Sequence, residues 1–131
     1  MSGPSVLIVE DELLIRLALS EYLTECGFSV REAADAAEAM DLMEREKVDA
    51  IFTDVRMPGE MDGIEFVRWV LEHRPGTPVM LTSGEMGGIK AMEELRVSDR
   101  VSVFTKPYRY ADVERKLRQA IAARAVEKIA K

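Results

Sequence analysis

The chain has 131 residues, of which 47% are hydrophobic and 32% charged, with a formal net charge of −6 at pH 7. This length fits one domain with a substantial core, and no apolar run approaches the roughly 20 residues of a membrane-spanning helix. The acidic balance argues against direct nucleic-acid binding, which needs Lys and Arg to neutralise phosphates. A single cysteine excludes an internal disulfide. The opening residues lack the pattern of a secretory signal, so we expect a cytoplasmic protein without a membrane partner.

Five apolar runs predict β-strands, because they are too short for helices and mostly rich in Val, Ile or Phe. They cover residues 5–9, 28–33, 48–53, 78–83 and 101–105. Longer segments with helical periodicity separate these runs and follow the last of them.

Apolar side chains three or four positions apart mark the helical segments. The first segment contains Leu13, Leu14, Leu17, Ala18 and Tyr22. Residues 36–43 and 64–71 indicate the second and third helices. A fourth spans roughly residues 86–95, where several glycines blur its start. A long fifth helix begins near residue 111 and continues to about residue 126.

The alternation of strands and helices predicts an α/β fold, with a parallel sheet covered by helices on both faces. We expect one domain over residues 1–131, with a core from about residue 5 to 123 and a helical extension to the end. Ligands of such sheets bind outside the carboxyl ends of the strands. The residues at those ends are therefore the candidates for chemistry.

Polar and charged side chains occur at four of these strand ends. They are Glu10, Asp11 and Glu12 after the first strand, Asp54 after the third, Thr82 and Ser83 at the end of the fourth, and Lys106 after the fifth. If the first and third strands are neighbours, several carboxylates meet, and two like charges about 4 Å apart repel by roughly 4 kcal/mol near a protein surface. Hard oxygen ligands favour Mg²⁺, and Mg²⁺ favours phosphate chemistry. Asp54 is then a candidate nucleophile that forms an aspartyl phosphate.

Each of these residues also has an ordinary structural explanation. Acidic residues after the first strand can stabilise the start of the following helix, and for Glu12 this is the preferred interpretation. Asp54 can begin a turn, and Lys106 can be a solvated surface lysine. Their joint occurrence at the strand ends of one alternating pattern favours a functional site.

Four segments together resemble the receiver domain of bacterial response regulators in two-component signalling. They are VLIVEDE, FTDVRMPGEMDG, PVMLTSG and FTKPY, and the resemblance extends from Val6 to about Ala123. It implies the flavodoxin-like receiver fold, a five-stranded parallel sheet with strand order 2-1-3-4-5, in a single-domain form similar to chemotaxis regulators. It also implies that Asp54 accepts a phosphoryl group from a histidine kinase or a histidine phosphotransfer protein, and that the chain is a signalling domain and not an enzyme.

The same resemblance assigns roles to the other strand-end residues. Mg²⁺ is expected to bind Glu10, Asp11, Asp54 and the backbone carbonyl of Arg56. Lys106 is expected to contact the phosphoryl group and Pro107 to follow a cis peptide bond. Ser83 is expected to be the hydroxyl residue, because it lies five residues after Pro78, whereas Thr82 is expected to face the other side of the sheet.

The chain departs from the usual receiver pattern at Val103, where many receivers carry a Tyr or Phe that turns inward on activation. Tyr108 is nearby and is expected to lie exposed. We expect output through protein contacts on the face of the fourth helix, fifth strand and fifth helix. Whether the protein forms a dimer is left open. Two alternatives also stay open: a receiver-like module that binds without phosphorylation, and a Mg²⁺-dependent phosphatase. The phosphatase is disfavoured because such enzymes generally have a second acidic residue two positions after the nucleophile, and this chain has Arg56 there.

Overall fold

The computed structural model describes residues 3–84, 93, 95 and 99–130. Residues 127–130 are described by their backbone alone. In chain order its elements are β1 Ser5–Val9, α1 Leu13–Glu25, β2 Ser29–Ala33, α2 Ala36–Arg45, β3 Ala50–Asp54, α3 Gly63–His73, β4 Val79–Ser83, β5 Val101–Thr105 and a C-terminal helix Tyr110–Ala130. The five predicted strands are present, with bounds shifted by up to two residues. The helix predicted at residues 86–95 lies outside the described residues, except for positions 93 and 95.

The five strands form one parallel sheet in the order β2-β1-β3-β4-β5, which confirms the predicted order. Its register aligns the carboxyl ends of four strands along one edge. Val9 pairs with Thr53, Asp54 pairs with Thr82, and Ser83 pairs with Thr105. Asp54 is the last residue of β3 and not, as predicted, the residue after it. Hydrogen bonding to β4 continues beyond Asp54, because the Val55 N–H donates to the Thr82 carbonyl over 2.8 Å.

Helices cover both faces of the sheet, as the alternation of elements predicted. On one face, Ile51 and the other side chains of its row pack with α2 and α3. On the opposite face, Phe52 and its row pack with α1 and the C-terminal helix. Neighbouring strand residues point to opposite faces, so all five positions of β3 are buried. Within the described part of the chain, every helix is too short or too polar to cross a membrane.

Helix α1 lies where it was predicted, but the apolar stripe that indicated it faces mainly solvent. Leu19 and Leu23 are buried and attach the helix to the sheet. Leu13, Leu14 and Leu17 are 54%, 80% and 45% exposed. Three leucines within two turns of one helix therefore form an apolar surface patch, which we call the α1 leucine patch.

Helix α3 begins beside the end of β3, and Gly63 permits this close approach. Asp62 caps the helix, because its side chain accepts the Glu65 N–H while the Glu65 side chain accepts the Asp62 N–H. The Gly63 N–H donates to the Val55 carbonyl over 2.8 Å. A Cβ atom at position 63 would collide with the Asp54 carbonyl oxygen and come within 2.6 Å of the Val55 Cα. The start of α3 is thereby fitted against the strand end that carries Asp54.

Replacing Gly63 with alanine is expected to destabilise the fold by about 1–3 kcal/mol, the usual cost of forcing extra volume into a packed site. Backbone atoms cannot give way as a flexible side chain can, so β3 or α3 must shift. Gly84→Ala is the control, because a Cβ atom there meets no described residue within 4 Å. The measurement is the midpoint of urea unfolding. Equal midpoints for the two variants would contradict the close-packing explanation.

Candidate functional site

An open cleft of about 750 Å³ lies at the carboxyl edge of the sheet. It is lined by Asp11, Glu12, Asp54, Val55, Arg56, Met57, Pro58, Ser83, Gly84 and Lys106. The structure therefore gathers five of the six predicted site residues around one opening. The sixth, Glu10, is buried beside the cleft, with 3% of its surface exposed.

Asp54 is buried at the end of β3, and both of its carboxylate oxygens have donors. Oδ2 lies 2.7 Å from Lys106 Nζ, and Oδ1 accepts the Arg56 N–H over 3.1 Å. A buried carboxylate is costly unless such partners compensate it. These partners hold the Asp54 carboxylate in a defined orientation at the cleft. An oriented anionic oxygen of this kind can act as the nucleophile in covalent catalysis or accept a phosphoryl group.

Lys106 is anchored to the sheet by its backbone as well as by its side chain. Its N–H donates to the Ser83 carbonyl over 2.9 Å, and the Lys106–Pro107 peptide bond is cis, as the resemblance implied. Burial alone lowers the pKa of Lys106, but the hydrogen bond and the charge of Asp54 outweigh it, so the pKa is raised overall. The ammonium group therefore stays charged next to the carboxylate.

The two adjacent hydroxyl residues of β4 have different surroundings. The Thr82 hydroxyl is buried and donates to the Thr53 carbonyl over 3.5 Å. The Ser83 hydroxyl is buried at the cleft and has no hydrogen-bond partner among the described residues. A buried polar group left without a partner costs about 1–3 kcal/mol. A ligand oxygen in the cleft could satisfy Ser83 Oγ, which favours Ser83 over Thr82 as the hydroxyl residue.

The acidic residues after β1 interact with Asp54 but are not preassembled as a metal cage. Burial raises the pKa of Glu10 to about 7, a hydrogen bond from the Glu12 N–H opposes the rise, and the charge of Asp54 adds to it. Glu10 Oε2 accepts that Glu12 N–H over 3.0 Å, and Asp11 is exposed at the cleft. No set of three acidic, His or Cys side chains in the described residues is grouped closely enough to hold a metal.

The donor set nevertheless fits Mg²⁺. This ion usually takes one or two carboxylates and keeps several waters, and a dedicated cage of protein ligands is unusual for it. Asp11 and Asp54 border the same cleft, and they supply the hard oxygens that Mg²⁺ prefers. Glu10 is buried beside the cleft, and one of its carboxylate oxygens already accepts the Glu12 N–H.

Arg16 supports the acidic turn and was not singled out from the sequence. Its Nη1 donates to the Glu10 carbonyl over 2.7 Å, and its Nε pairs with Glu32 Oε1 over 3.0 Å. The side chain of Arg16 is only 16% exposed, so this ion pair is better shielded than a surface one. Arg16 thereby ties the turn after β1 to the neighbouring strand β2.

Val103 and Tyr108 pack on opposite sides of the sheet. Val103 contacts the cluster formed with α2 and α3, whereas Tyr108 packs in the opposite cluster. The Tyr108 ring lies edge-on to Phe52, with centroids 5.6 Å apart. The expected exposed position of Tyr108 was therefore wrong. Burial raises its pKa to about 12, with smaller contributions from Tyr110, Glu10 and Asp54.

The raised pKa of Glu10 predicts that the stability of the metal-free protein depends on pH. The folded chain keeps this proton up to about pH 7, whereas an unfolded chain releases it near pH 4.5. The folded state therefore binds more protons between these values, and the free energy of unfolding decreases as pH rises through this window. Glu10→Gln removes the titrating group, so its unfolding free energy in urea should decrease less. Parallel pH profiles for wild type and variant would contradict the assignment.

The parallel sheet, its strand order and the acidic cleft at the strand ends are those of a phosphoacceptor signalling domain. Residues 6–122 match the response regulator receiver domain family, and the chain belongs to that family. It is a receiver domain of the kind that operates in two-component and phosphorelay systems. Receiver domains in general bind Mg²⁺ at the phosphorylation site and interact with histidine kinases or phosphotransfer proteins.

Two relatives and one solved structure illustrate the match. The chain is 31% identical over 110 residues to sporulation initiation phosphotransferase F of Bacillus subtilis, covering 82% of this chain and 86% of that protein. It is 41% identical over 85 residues to protein-glutamate methylesterase/protein-glutamine glutaminase 1 of Anaeromyxobacter dehalogenans, which is 65% of this chain but only 24% of that protein. A response regulator receiver protein from Sinorhizobium medicae superposes with a TM-score of 0.81 at 25% identity, covering 93% and 97% of the two chains.

Proposed function

We propose that Asp54 accepts a phosphoryl group from a phosphohistidine on a histidine kinase or histidine phosphotransfer protein. The observation that carries this proposal is the 2.7 Å contact between Lys106 Nζ and Asp54 Oδ2. It pairs a buried carboxylate with a cation at the strand end, inside a cleft open to a donor. The Ser83 hydroxyl beside it is buried and has no hydrogen-bond partner in the described part of the chain, which gives further support.

The proposed transfer is a displacement at phosphorus. A carboxylate oxygen of Asp54 forms the new O–P bond, the P–N bond to the donor imidazole breaks, and the nitrogen keeps the electron pair. Lys106 stabilises the charge on the equatorial oxygens, and Ser83 donates a hydrogen bond to one of them. Both groups are held by the ends of neighbouring strands, so little reorganisation accompanies the reaction.

Asp11, Asp54 and the backbone carbonyl of Arg56 are proposed to hold Mg²⁺, with Glu10 contributing through water. When bound there, Mg²⁺ would neutralise charge on the transferring group. The role of Arg16 in this scheme is to hold the Glu10 backbone, through the 2.7 Å hydrogen bond to its carbonyl.

The α1 leucine patch supports a protein as the donor. Helix α1 begins at Leu13, directly after Asp11 and Glu12, which line the cleft. A protein that delivers a phosphohistidine to Asp54 must cover this rim, and the patch offers it apolar area to bury. A small phosphodonor needs no such surface.

The domain is proposed to act in the cytoplasm as a switch and not as an enzyme. Arg56 stands two residues after Asp54, at the position where such a phosphatase requires a second acid. Arg56 is exposed, and its N–H donates to the Asp54 carboxylate. The proposed output surface includes β5 and the C-terminal helix. Because Val103 has no ring to reorient, this switch differs from one that depends on an aromatic side chain at that position.

The test is intact-mass measurement after incubation with acetyl phosphate, with Mg²⁺ or with EDTA. The expected result is one added phosphoryl group in Mg²⁺ and none in EDTA. Steady hydrolysis of p-nitrophenyl phosphate would instead indicate a phosphatase. No modification by acetyl phosphate or by any phosphohistidine protein would indicate a module that binds without phosphorylation.

A further inference from the structure

A second groove, of about 680 Å³, lies between α2 and the loop that precedes α3. Its apolar lining includes Met40, Pro58 and Met61, and we call it the methionine groove. Met40 and Met61 are half-buried, with their inner atoms packed on the core and their outer surfaces facing the groove. The phosphoacceptor chemistry makes no use of these side chains.

One wall of the methionine groove is a single face of α2. Ala37, Met40, Asp41 and Glu44 line it, and their spacing of three, four and seven residues places them along one side of the helix. This face extends over about 10 Å, or two helical turns. The opposite wall consists of the loop at residues 58–61 and Glu65. An elongated groove with one helical wall fits a second helix lying along it.

The rim of the methionine groove is acidic. Five carboxylates line it, at Asp35, Asp41, Glu44, Glu60 and Glu65, and no Lys, Arg or His is among its described lining residues. Asp35 and Glu65 accept backbone N–H groups at helix starts, and Asp41 pairs with Arg45 over 3.0 Å. Glu44 and Glu60 have no ion pair among the described residues.

We infer that the methionine groove binds a basic amphipathic helix of a partner protein. Apolar side chains of such a helix pack on the methionines, which adapt their shape to different partners. Its Lys or Arg side chains meet the carboxylates of the rim, so the charges of the two surfaces are complementary. Pro58 lines both this groove and the acceptor cleft, so the bound helix lies against the loop that follows Asp54. The inference does not depend on phosphorylation of Asp54.

The experiment uses a fluorescently labelled synthetic peptide of Leu and Lys with amphipathic helical spacing, and measures its fluorescence anisotropy on addition of the unphosphorylated protein. We expect saturable binding that weakens as salt is added. A peptide of the same composition in scrambled order should bind at least about tenfold more weakly, a difference of one decade in Kd. Equal affinity for the two peptides would show that the binding depends on charge alone and not on the helical spacing, and would overturn the proposal.

Charge reversal locates the binding site. Glu44→Lys combined with Glu60→Lys should weaken binding at least about tenfold, because it reverses the two rim carboxylates that form no ion pair with another described residue. The matched control reverses Glu21 and Glu25, which are exposed on α1 across the sheet, and should leave binding nearly unchanged. Met40→Gln tests the apolar contribution at constant charge and should also weaken binding. The proposal is overturned if the α1 control loses as much affinity as the groove variant, or if the peptide does not bind.

Discussion

Replacing Asp54 with asparagine is expected to abolish phosphorylation of the protein. Asparagine has nearly the shape of aspartate and can still accept the Arg56 N–H, which the wild-type carboxylate accepts over 3.1 Å. It lacks the anionic oxygen that attacks phosphorus. The fold should therefore persist, since the substitution also removes a charge that acts on the buried Glu10. The expected result is no added phosphoryl mass under conditions in which the wild type is modified.

Asp41→Asn is the control for this experiment, because Asp41 is an exposed residue of α2 paired with Arg45. It removes the same charge from the protein but should leave phosphorylation unchanged. Urea unfolding of both variants verifies that each is folded. A phosphoryl group found on another residue of the Asp54→Asn variant, with wild-type yield, would show that Asp54 is not the acceptor.

The positions of the candidate site residues could be predicted because they depend on local patterns and one general rule. Apolar runs located the strands, and ligands of parallel sheets bind at their carboxyl ends. The order of the strands could not be predicted from these patterns alone, because they did not establish that the first and third strands are neighbours. The family resemblance supplied that order, and the observed sheet confirms it.

Three features could not be predicted, and each depends on contacts distant in the sequence. Arg16 pairs with Glu32 across two elements, so no local motif marks it. Tyr108 lies two residues after Lys106, in the loop after β5, yet its ring packs on Phe52 of β3. The stripe beginning at Leu13 correctly indicated a helix. Periodicity does not distinguish a face buried in the core from a face left for another protein.

The exposure of that stripe leads to the second large expected effect. Leu14 is 80% exposed and Leu17 45% exposed, and both lie within two turns of the start of α1. If a phosphohistidine protein covers this rim when it reaches Asp54, the two leucines become buried. Burying one such side chain contributes about 1.5–3 kcal/mol. Glutamine at both positions keeps the helix propensity but replaces the apolar contact with a polar amide that needs a partner.

We therefore expect Leu14→Gln combined with Leu17→Gln to slow phosphotransfer from a phosphohistidine protein that modifies the wild type. A loss of about 2 kcal/mol corresponds to roughly 30-fold in the transfer rate at low donor concentration. Phosphorylation by acetyl phosphate should not change, because Asp54, Lys106 and Ser83 are untouched. Val126→Gln is the matched control, since Val126 is 65% exposed on the C-terminal helix. If the variant slows both donors equally, the leucines support the site itself; if it slows neither, the donor docks elsewhere. Only the selective loss identifies the α1 leucine patch as the surface that recognises the donor.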